Sequence, residues 1–258
     1  MFEVIPIPAF RDNYIWLLRQ GKSALVVDPG DAAPVLATLD RLGLTLRAIL
    51  VTHHHADHQG GVGELAARCG AEVFGPAAES ITALTRPLAG GETIRPLAGA
   101  GDADDPDFAV LAVPGHTRGH LAYYRKGLLF CGDTLFGAGC GRLFEGTPAQ
   151  MAASLDRLAA LPGDTAVHCA HEYTEQNLRF ALAVEPDNPL LRRRVETVAA
   201  LRARGLPSVP STLAEERATN PFLRCGEPAV IAAARIRAPD AADPVTVFAA
   251  LRAWRNGF

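Results

Sequence analysis

The chain has 258 residues, enough for one large core or for one core with a smaller appended unit. A hydrophobic content of 48% and a charged content of 21% are those of an ordinary soluble globular protein, and a net charge of −3 without a basic run offers nucleic acid or an anionic membrane nothing to hold. No apolar stretch approaches the roughly 20 residues that span a bilayer. The N-terminal segment lacks the basic-then-apolar order of a secretory signal. Five cysteines without C-x-x-C spacing suit reduced thiols in a cytosol, so a cytoplasmic protein, a monomer, is expected.

In chain order, Phe2–Ile7, Tyr14–Leu18 and Ala24–Asp28 read as strands, Ala32–Leu42 as a helix and Arg47–Thr52 as a strand. Val62–Cys69 follows as a helix, with Gly43 and Gly70 where C-terminal stops belong. Gly99–Asp107 reads as an exposed acidic turn. Phe108–Val113, Leu121–Arg125, Leu128–Cys131 and Thr165–Cys169 read as strands and Pro148–Leu161 as a helix. After about Ala170 the strand signal fades, and Thr174–Val184, Leu190–Arg204, Pro228–Ile236 and Val245–Trp254 have helical spacing between prolines. The expected architecture is an α/β domain over residues 1–172, with helices covering sheet layers, and a helical unit over 173–258.

The chemistry is concentrated in the histidines. All eight lie in three clusters: His53, His54, His55 and His58; His116 and His120; His168 and His171. In T-H-H-H-A-D-H, Thr52 to His58, a strand ends and the chain turns toward a helix. Residues two apart in extended chain point the same way, so His53 and His55 can converge on one metal while His54 faces elsewhere as a packed or solvated bystander. The turn that follows lets Asp57 and His58 present a carboxylate and an imidazole to a neighbouring position. P-G-H-T-R-G-H, Pro114 to His120, aims His116 from a second strand end, with His120 as a supporting or packing residue. Asp133 ends an apolar strand in C-G-D-T, where a carboxylate is costly without a cation. His171 follows the strand Thr165–Cys169, and Cys131 and Cys169 read as small buried apolar residues. Five imidazoles and two carboxylates exceed one four-coordinate ion and suit two divalent ions, zinc foremost, with iron or manganese equally compatible with an N/O donor set.

These four motifs resemble the signature of the metallo-β-lactamase superfamily, which implies an αβ/βα sandwich. The lactamases proper usually lack the histidine matching His58 and carry cysteine where Asp133 stands. Within the superfamily the chain is more similar to glyoxalase II, hydroxyacylglutathione hydrolase. The resemblance rests on I-P-A-F-R-D-N-Y-I-W (Ile7–Trp16), G-D-T-L-F-G-A-G-C-G-R-L-F-E-G-T (Gly132–Thr147), H-E-Y-T-E-Q-N-L-R-F-A (His171–Ala181), T-N-P-F-L-R (Thr219–Arg224) and D-P-V-T (Asp243–Thr246), which span nearly the whole chain. It implies His53, His55 and His116 at one metal, Asp57, His58 and His171 at the other, and Asp133 as the bridge, with Asp57 and Asp133 essential to catalysis. It implies Tyr173 and Arg142 at a glutathione moiety, Phe144 beside them, and Arg252 and Arg255 at the glycine carboxylate. Arg142 and Arg255 depart from a common lysine, and Phe144 from a tyrosine; only Lys22 and Lys126 are lysine among 25 basic residues.

The implied reaction is hydrolysis of a glutathione thioester, S-D-lactoylglutathione giving glutathione and D-lactate. No G-x-S-x-G occurs, so a serine triad is disfavoured. Two other enzymes of the superfamily, a mononuclear-iron persulfide dioxygenase and another thioesterase, stand as alternatives. A non-enzymatic metal-binding scaffold leaves seven clustered donors unexplained.

Overall fold

Prolines decide where the first sheet stops. The computed structural model describes residues 3–97 and 107–258. Phe2 of the expected first strand, and all of the expected acidic turn except Asp107, lie outside the described residues. Packing divides the chain into two compact units, Met1–Ala112 with Gly119–Gly132, and Val113–Arg118 with Asp133–Phe258.

The first unit runs β1 (Glu3–Ala9), β2 (Asn13–Gln20), β3 (Ser23–Val27), α1 (Ala32–Leu42), β4 (Thr45–Leu50), α2 (Ala56–Gln59), α3 (Val62–Cys69), β5 (Glu72–Pro76), β6 (Arg86–Leu88), β7 (Thr93–Ile94), β8 (Phe108–Ala112), β9 (Leu121–Arg125) and β10 (Leu128–Gly132). Strands β1 to β6 form one sheet in sequence order, with β1 at the edge. Pro6 and Pro8 pair with Trp16 and Tyr14 of β2, and lacking N–H donors they leave the outer edge a poor template for another strand. β1, β2 and β3 are antiparallel, whereas β3, β4, β5 and β6 are parallel. All five residues of β3 are buried, as a parallel strand covered on both faces requires. Strands β7 to β10 lie side by side in antiparallel order.

The expected helices at Ala32–Leu42 and Val62–Cys69 have those bounds. Asp31 caps the first by accepting from Ala33 N at 2.9 Å, and Gly43 ends it at φ 62°. Val35, Leu39, Val62 and Leu65 from these helices pack with Leu17, Val26, Ile49 and Val73 of the sheet. Because β3, β4 and β5 are parallel, the loops that follow them, carrying Asp28, Thr52–His58 and Glu79, leave the same edge of the sheet.

The second unit contains β11 (Leu135–Phe136), β12 (Gly139–Cys140), α4 (Pro148–Ala159), β13 (Ala166–Cys169), α5 (Thr174–Val184), α6 (Pro189–Ala203), β14 (Ser211–Thr212), α7 (Leu213–Thr219), a 3-10 turn (Pro221–Leu223), α8 (Pro228–Arg235) and α9 (Pro244–Asn256). Several features depart from the sequence reading, among them the short β11–β12 hairpin, which matches no expected strand. β14 pairs antiparallel with β13 inside the stretch expected to be purely helical, and α7 has no counterpart among the expected helices. Seven residues give α7 too little periodicity to stand out; its Thr212 cap, accepting from Glu215 N at 3.2 Å, is the local signal. In D-P-V-T, Asp243 and Thr246 form a reciprocal capping box and Pro244 opens α9.

A buried ion pair organises this unit. Glu216, fully buried, accepts from Arg194 Nη2 at 2.5 Å, Ser211 Oγ at 2.6 Å, Ala138 N at 2.8 Å and Asn220 Nδ2 at 3.1 Å. Asn220 Nδ2 also donates to Gly139 O at 3.0 Å. Together they hold the β11–β12 turn, where Ala138 sits at φ 54° in the left-handed region. Removing one member of a buried pair strands the other charge and costs about 3–5 kcal/mol. Glu216→Ala should therefore lower the unfolding free energy in urea by that amount; a loss below about 1 kcal/mol would show the pair to be dispensable.

Candidate metal centre

In the first unit, a single carboxylate sets the protonation of two histidines. Asp28, 4% exposed, stands at φ 53° just beyond β3. Its Oδ1 accepts from Thr52 N and its Oδ2 from Thr52 Oγ1, both at 2.7 Å. The hydroxyl has given its one proton to the carboxylate, so toward His53 Nδ1, 3.0 Å away, it can only accept. His53 therefore carries its proton on Nδ1 and presents Nε2 as a lone pair. His58 donates from Nδ1 to Asp28 Oδ2 at 3.0 Å, which in the neutral ring makes Nε2, 3.5 Å from Asp57 Oδ2, the lone-pair nitrogen. His53 Nε2 lies 3.0 Å from His55 Nδ1. Asn13 Nδ2, on the first residue of β2, donates to Asp57 Oδ2 at 3.0 Å and sets the carboxylate's direction. A Cβ on Gly30 would lie 2.0 Å from Asp57 O, so the turn after Asp28 must be glycine for the two loops to meet. His120 is fully buried and stacks on His53 at 4.6 Å, and His54 turns its ring to Glu79.

The second unit repeats the logic with a backbone carbonyl. His116, 4% exposed, donates from Nδ1 to Arg142 O at 2.8 Å, so its Nε2 lone pair faces Asp133 Oδ2 at 3.4 Å. His171 Nε2 lies 3.4 Å from Asp133 Oδ1. Tyr173 stacks on the His171 ring at 4.7 Å, and Phe136 meets both edge-on. With its imidazole neutral, each unit sets a ring nitrogen lone pair toward a carboxylate oxygen, acceptor against acceptor. A divalent cation satisfies both at once, and imidazoles whose other nitrogen is held by a carboxylate or carbonyl are the usual ligands.

The second unit also holds a cavity of about 370 Å³. His116 and Asp133 line it, and so do Arg142, Phe144, Tyr173, Arg252 and Arg255. α9 carries the last two arginines three residues apart, on one face. Arg252, 6% exposed, donates from Nη1 to Cys140 O at 2.8 Å, and Arg255 Nη2 to Asn177 Oδ1 at 3.3 Å. The Nε of each is buried without a hydrogen-bond partner among the described residues. Burial, with Arg252 and Arg142 beside it, pulls the Arg255 guanidinium below its ordinary range. Phe144 is 62% exposed and meets the His116 ring edge-on.

Sequence reasoning passed over Asp28, Asn13, Glu79, Cys140, Gln176 and Asn177, the last three of which line the cavity. Asp28 had a usable signal: it is a carboxylate ending an apolar strand, the pattern that singles out Asp133. All five cysteines are free. Burial raises the Cys140 thiol and pushes Cys169 up to about 12, which keeps both protonated.

Residues 9–171 match the family model of the metallo-beta-lactamase superfamily, and residues 172–258 match that of the hydroxyacylglutathione hydrolase C-terminus. The chain is 63% identical to a hydroxyacylglutathione hydrolase of Dechloromonas aromatica (strain RCB), with all of both chains covered. Among solved structures it is similar to ETHE1 from Myxococcus xanthus, with TM-score 0.66 and 25% identity over 99% of this chain and 98% of that one. It is also similar to TTHA1623 in a di-iron-bound form, with TM-score 0.53 and 30% identity over 66% of this chain and 91% of that one. The chain belongs to the hydroxyacylglutathione hydrolase family of the metallo-β-lactamase superfamily, with that superfamily's αβ/βα sandwich and a helical C-terminal part.

Proposed function

We propose that this protein hydrolyses S-(2-hydroxyacyl)glutathione thioesters, typically S-D-lactoylglutathione, to glutathione and a 2-hydroxy acid. His53, His55 and His116 would hold one metal ion and Asp57, His58 and His171 a second, with Asp133 bridging; zinc is the first choice, iron or manganese the alternatives. The metal-holding part corresponds to residues 1–172 and the glutathione-binding part to 173–258. The compact units follow a different boundary, because Val113–Arg118 and all of residues 133–172 group with the helices.

The observation that carries this reading is the cavity, in which three guanidiniums share one lining with His116 and Asp133. Such a site suits a ligand with free carboxylates at a distance from its reacting bond. When bound, a pair of divalent ions lowers the pKa of water enough to supply hydroxide near neutral pH. Arg252 and Arg255 bind the glycine carboxylate, Arg142 adds charge, and Tyr173 and Phe144 flank the peptide. Cys140, held protonated in the same cavity, offers no competing nucleophile. A thiolate leaves readily, so the chain needs no general acid for the departing sulfur.

Among the described residues no helix is long and apolar enough to cross a membrane. With five free thiols, a cytoplasmic monomer is the location and state we propose. The persulfide dioxygenase alternative is less supported. ETHE1 spans nearly the same length as this chain, so a long C-terminal part does not separate the two readings. Identity does: 25% to that protein against 63% to the hydrolase.

Two outcomes follow. Elemental analysis after metal supplementation should give about two ions per chain, and Asp133→Ala should abolish thioester hydrolysis; a single iron with no second site would favour the dioxygenase. Arg252→Ala and Arg255→Ala should raise KM with kcat nearly unchanged, because contacts to a remote carboxylate are made equally in the ground and transition states. A charge-assisted hydrogen bond is worth about 1.5–3 kcal/mol, or roughly 10- to 150-fold, with the lower end expected at the more exposed Arg255. A thioester lacking the glycine carboxylate should be indifferent to both changes. Equal losses on the two substrates would remove the α9 clamp.

A further inference from the structure

We infer that Glu79 is a positioning residue for the metal-holding loop, a splint on the side of the loop opposite the ligands. This rests on the reading that His53–His58 hold metal. Glu79 follows β5, and its side chain is 4% exposed. Oε2 accepts from His54 N at 2.7 Å and faces His54 Nδ1 at 3.0 Å, while Oε1 accepts from Gly119 N at 2.9 Å. One carboxylate therefore ties together two loops that are distant in sequence.

The His54 peptide lies between two of the candidate ligands. Extended backbone sends His53 and His55 to one side and His54 to the other, where Glu79 waits. The approach of His53 Nε2 to His55 Nδ1 depends on the backbone between them, and Glu79 fixes its N–H. Gln59 fixes the other half of the residue: its Nε2 donates to His54 O at 2.5 Å and to Ser80 O at 3.1 Å, and its Oε1 accepts from Thr82 N at 2.8 Å. Residues 79–82 and Gln59 thus grip both sides of the His54 backbone.

The second oxygen of Glu79 acts at Gly119, which precedes the His120 ring stacked on His53. A Cβ on Gly119 would lie 2.6 Å from Glu79 Cγ, so glycine is needed for this approach. His54 is accordingly no solvated bystander; it faces away from the other two histidines, as alternation predicts, but into a built partner. Holding the ligands before the metal arrives lowers the ordering cost of binding, and loss of such supporting contacts typically weakens metal affinity 10- to 100-fold.

The test compares wild type, Glu79→Ala, Glu79→Gln and His54→Ala as zinc-loaded full chains. Retained zinc is measured by elemental analysis against graded chelator at 25 °C, alongside thermal melting of each metal-free protein. Glu79→Ala should move the chelator midpoint toward weaker binding by roughly 10- to 100-fold. Glu79→Gln should fall between, since its amide keeps one acceptor but sets NH₂ against a backbone N–H. His54→Ala, which leaves both backbone bonds to Glu79 intact, should shift the midpoint by less than about threefold. If Glu79→Ala does not fold, the Glu79→Gln shift alone decides, and no shift overturns the inference. A lowered melting point with an unmoved midpoint would make Glu79 merely structural and likewise overturn it. If wild type binds no metal the functional reading fails first; if wild type binds two ions and the Glu79 variants match it, only the splint fails.

Discussion

Asp28 is the constraint on which the chemistry of the first unit depends. Two imidazoles must each show a lone pair, and an imidazole shows one only if its other nitrogen is committed as a donor. Asp28 commits both, His58 directly and His53 through the Thr52 hydroxyl. It can do so because β3 and β4 are parallel neighbours, so the residue leaving one strand meets the residues leaving the other. The burial of this carboxylate is offset by its three donors. Space is correspondingly short: a Cβ on Gly132, at φ 48°, would lie 2.4 Å from Thr52 Oγ1.

The second unit solves a different problem, the gathering of like charges. Three guanidiniums around one cavity repel one another, and the lowered position of Arg255 records its burial first and that repulsion second. They are held by the frame behind them. Arg252 grips Cys140 O at the end of the β11–β12 hairpin; Asn177 takes Arg255 and also donates to Gly137 O at 3.0 Å. Glu216 and Asn220 hold the hairpin's turn. The buried Arg194–Glu216 pair therefore bears on the shape of the cavity at one remove, by keeping in place the wall to which Arg252 is bonded.

What was legible in the sequence was whatever is encoded locally. Helices with a capping residue and a glycine stop, such as Ala32–Leu42, emerged with their observed bounds. The grouping of histidines and carboxylates was legible because strand alternation and clustering act over a few residues. Short strands such as β6, β7 and β14 were not, since two or three residues carry no period and only pairing defines them. The supporting residues were hidden for a related reason. Asn13 reaches Asp57 across 44 positions, Glu79 reaches His54 across 25 and Gly119 across 40. No spacing rule links such partners; Asn13, His54 and Glu79 meet because β-sheet order brings their loops to one edge, and Gly119 comes from the loop before β9 of the other sheet. His54 shows the limit of alternation, which gives a direction but not what stands there.

The arginines at 142 and 255 have a consequence beyond the compositional preference of a chain with two lysines. In the cavity, burial and two neighbouring cations both disfavour a charged group at position 255. A lysine, starting near 10.4, would be drawn by those forces toward the range in which it loses its proton and its hold on a carboxylate. A guanidinium starts far higher, so the same forces can lower it and leave it charged. Its planar fork also meets a carboxylate with two parallel donors where an ammonium offers a point charge. Arginine at position 255 therefore keeps the cavity's positive charge at alkaline pH, where a lysine in the same surroundings would lose it.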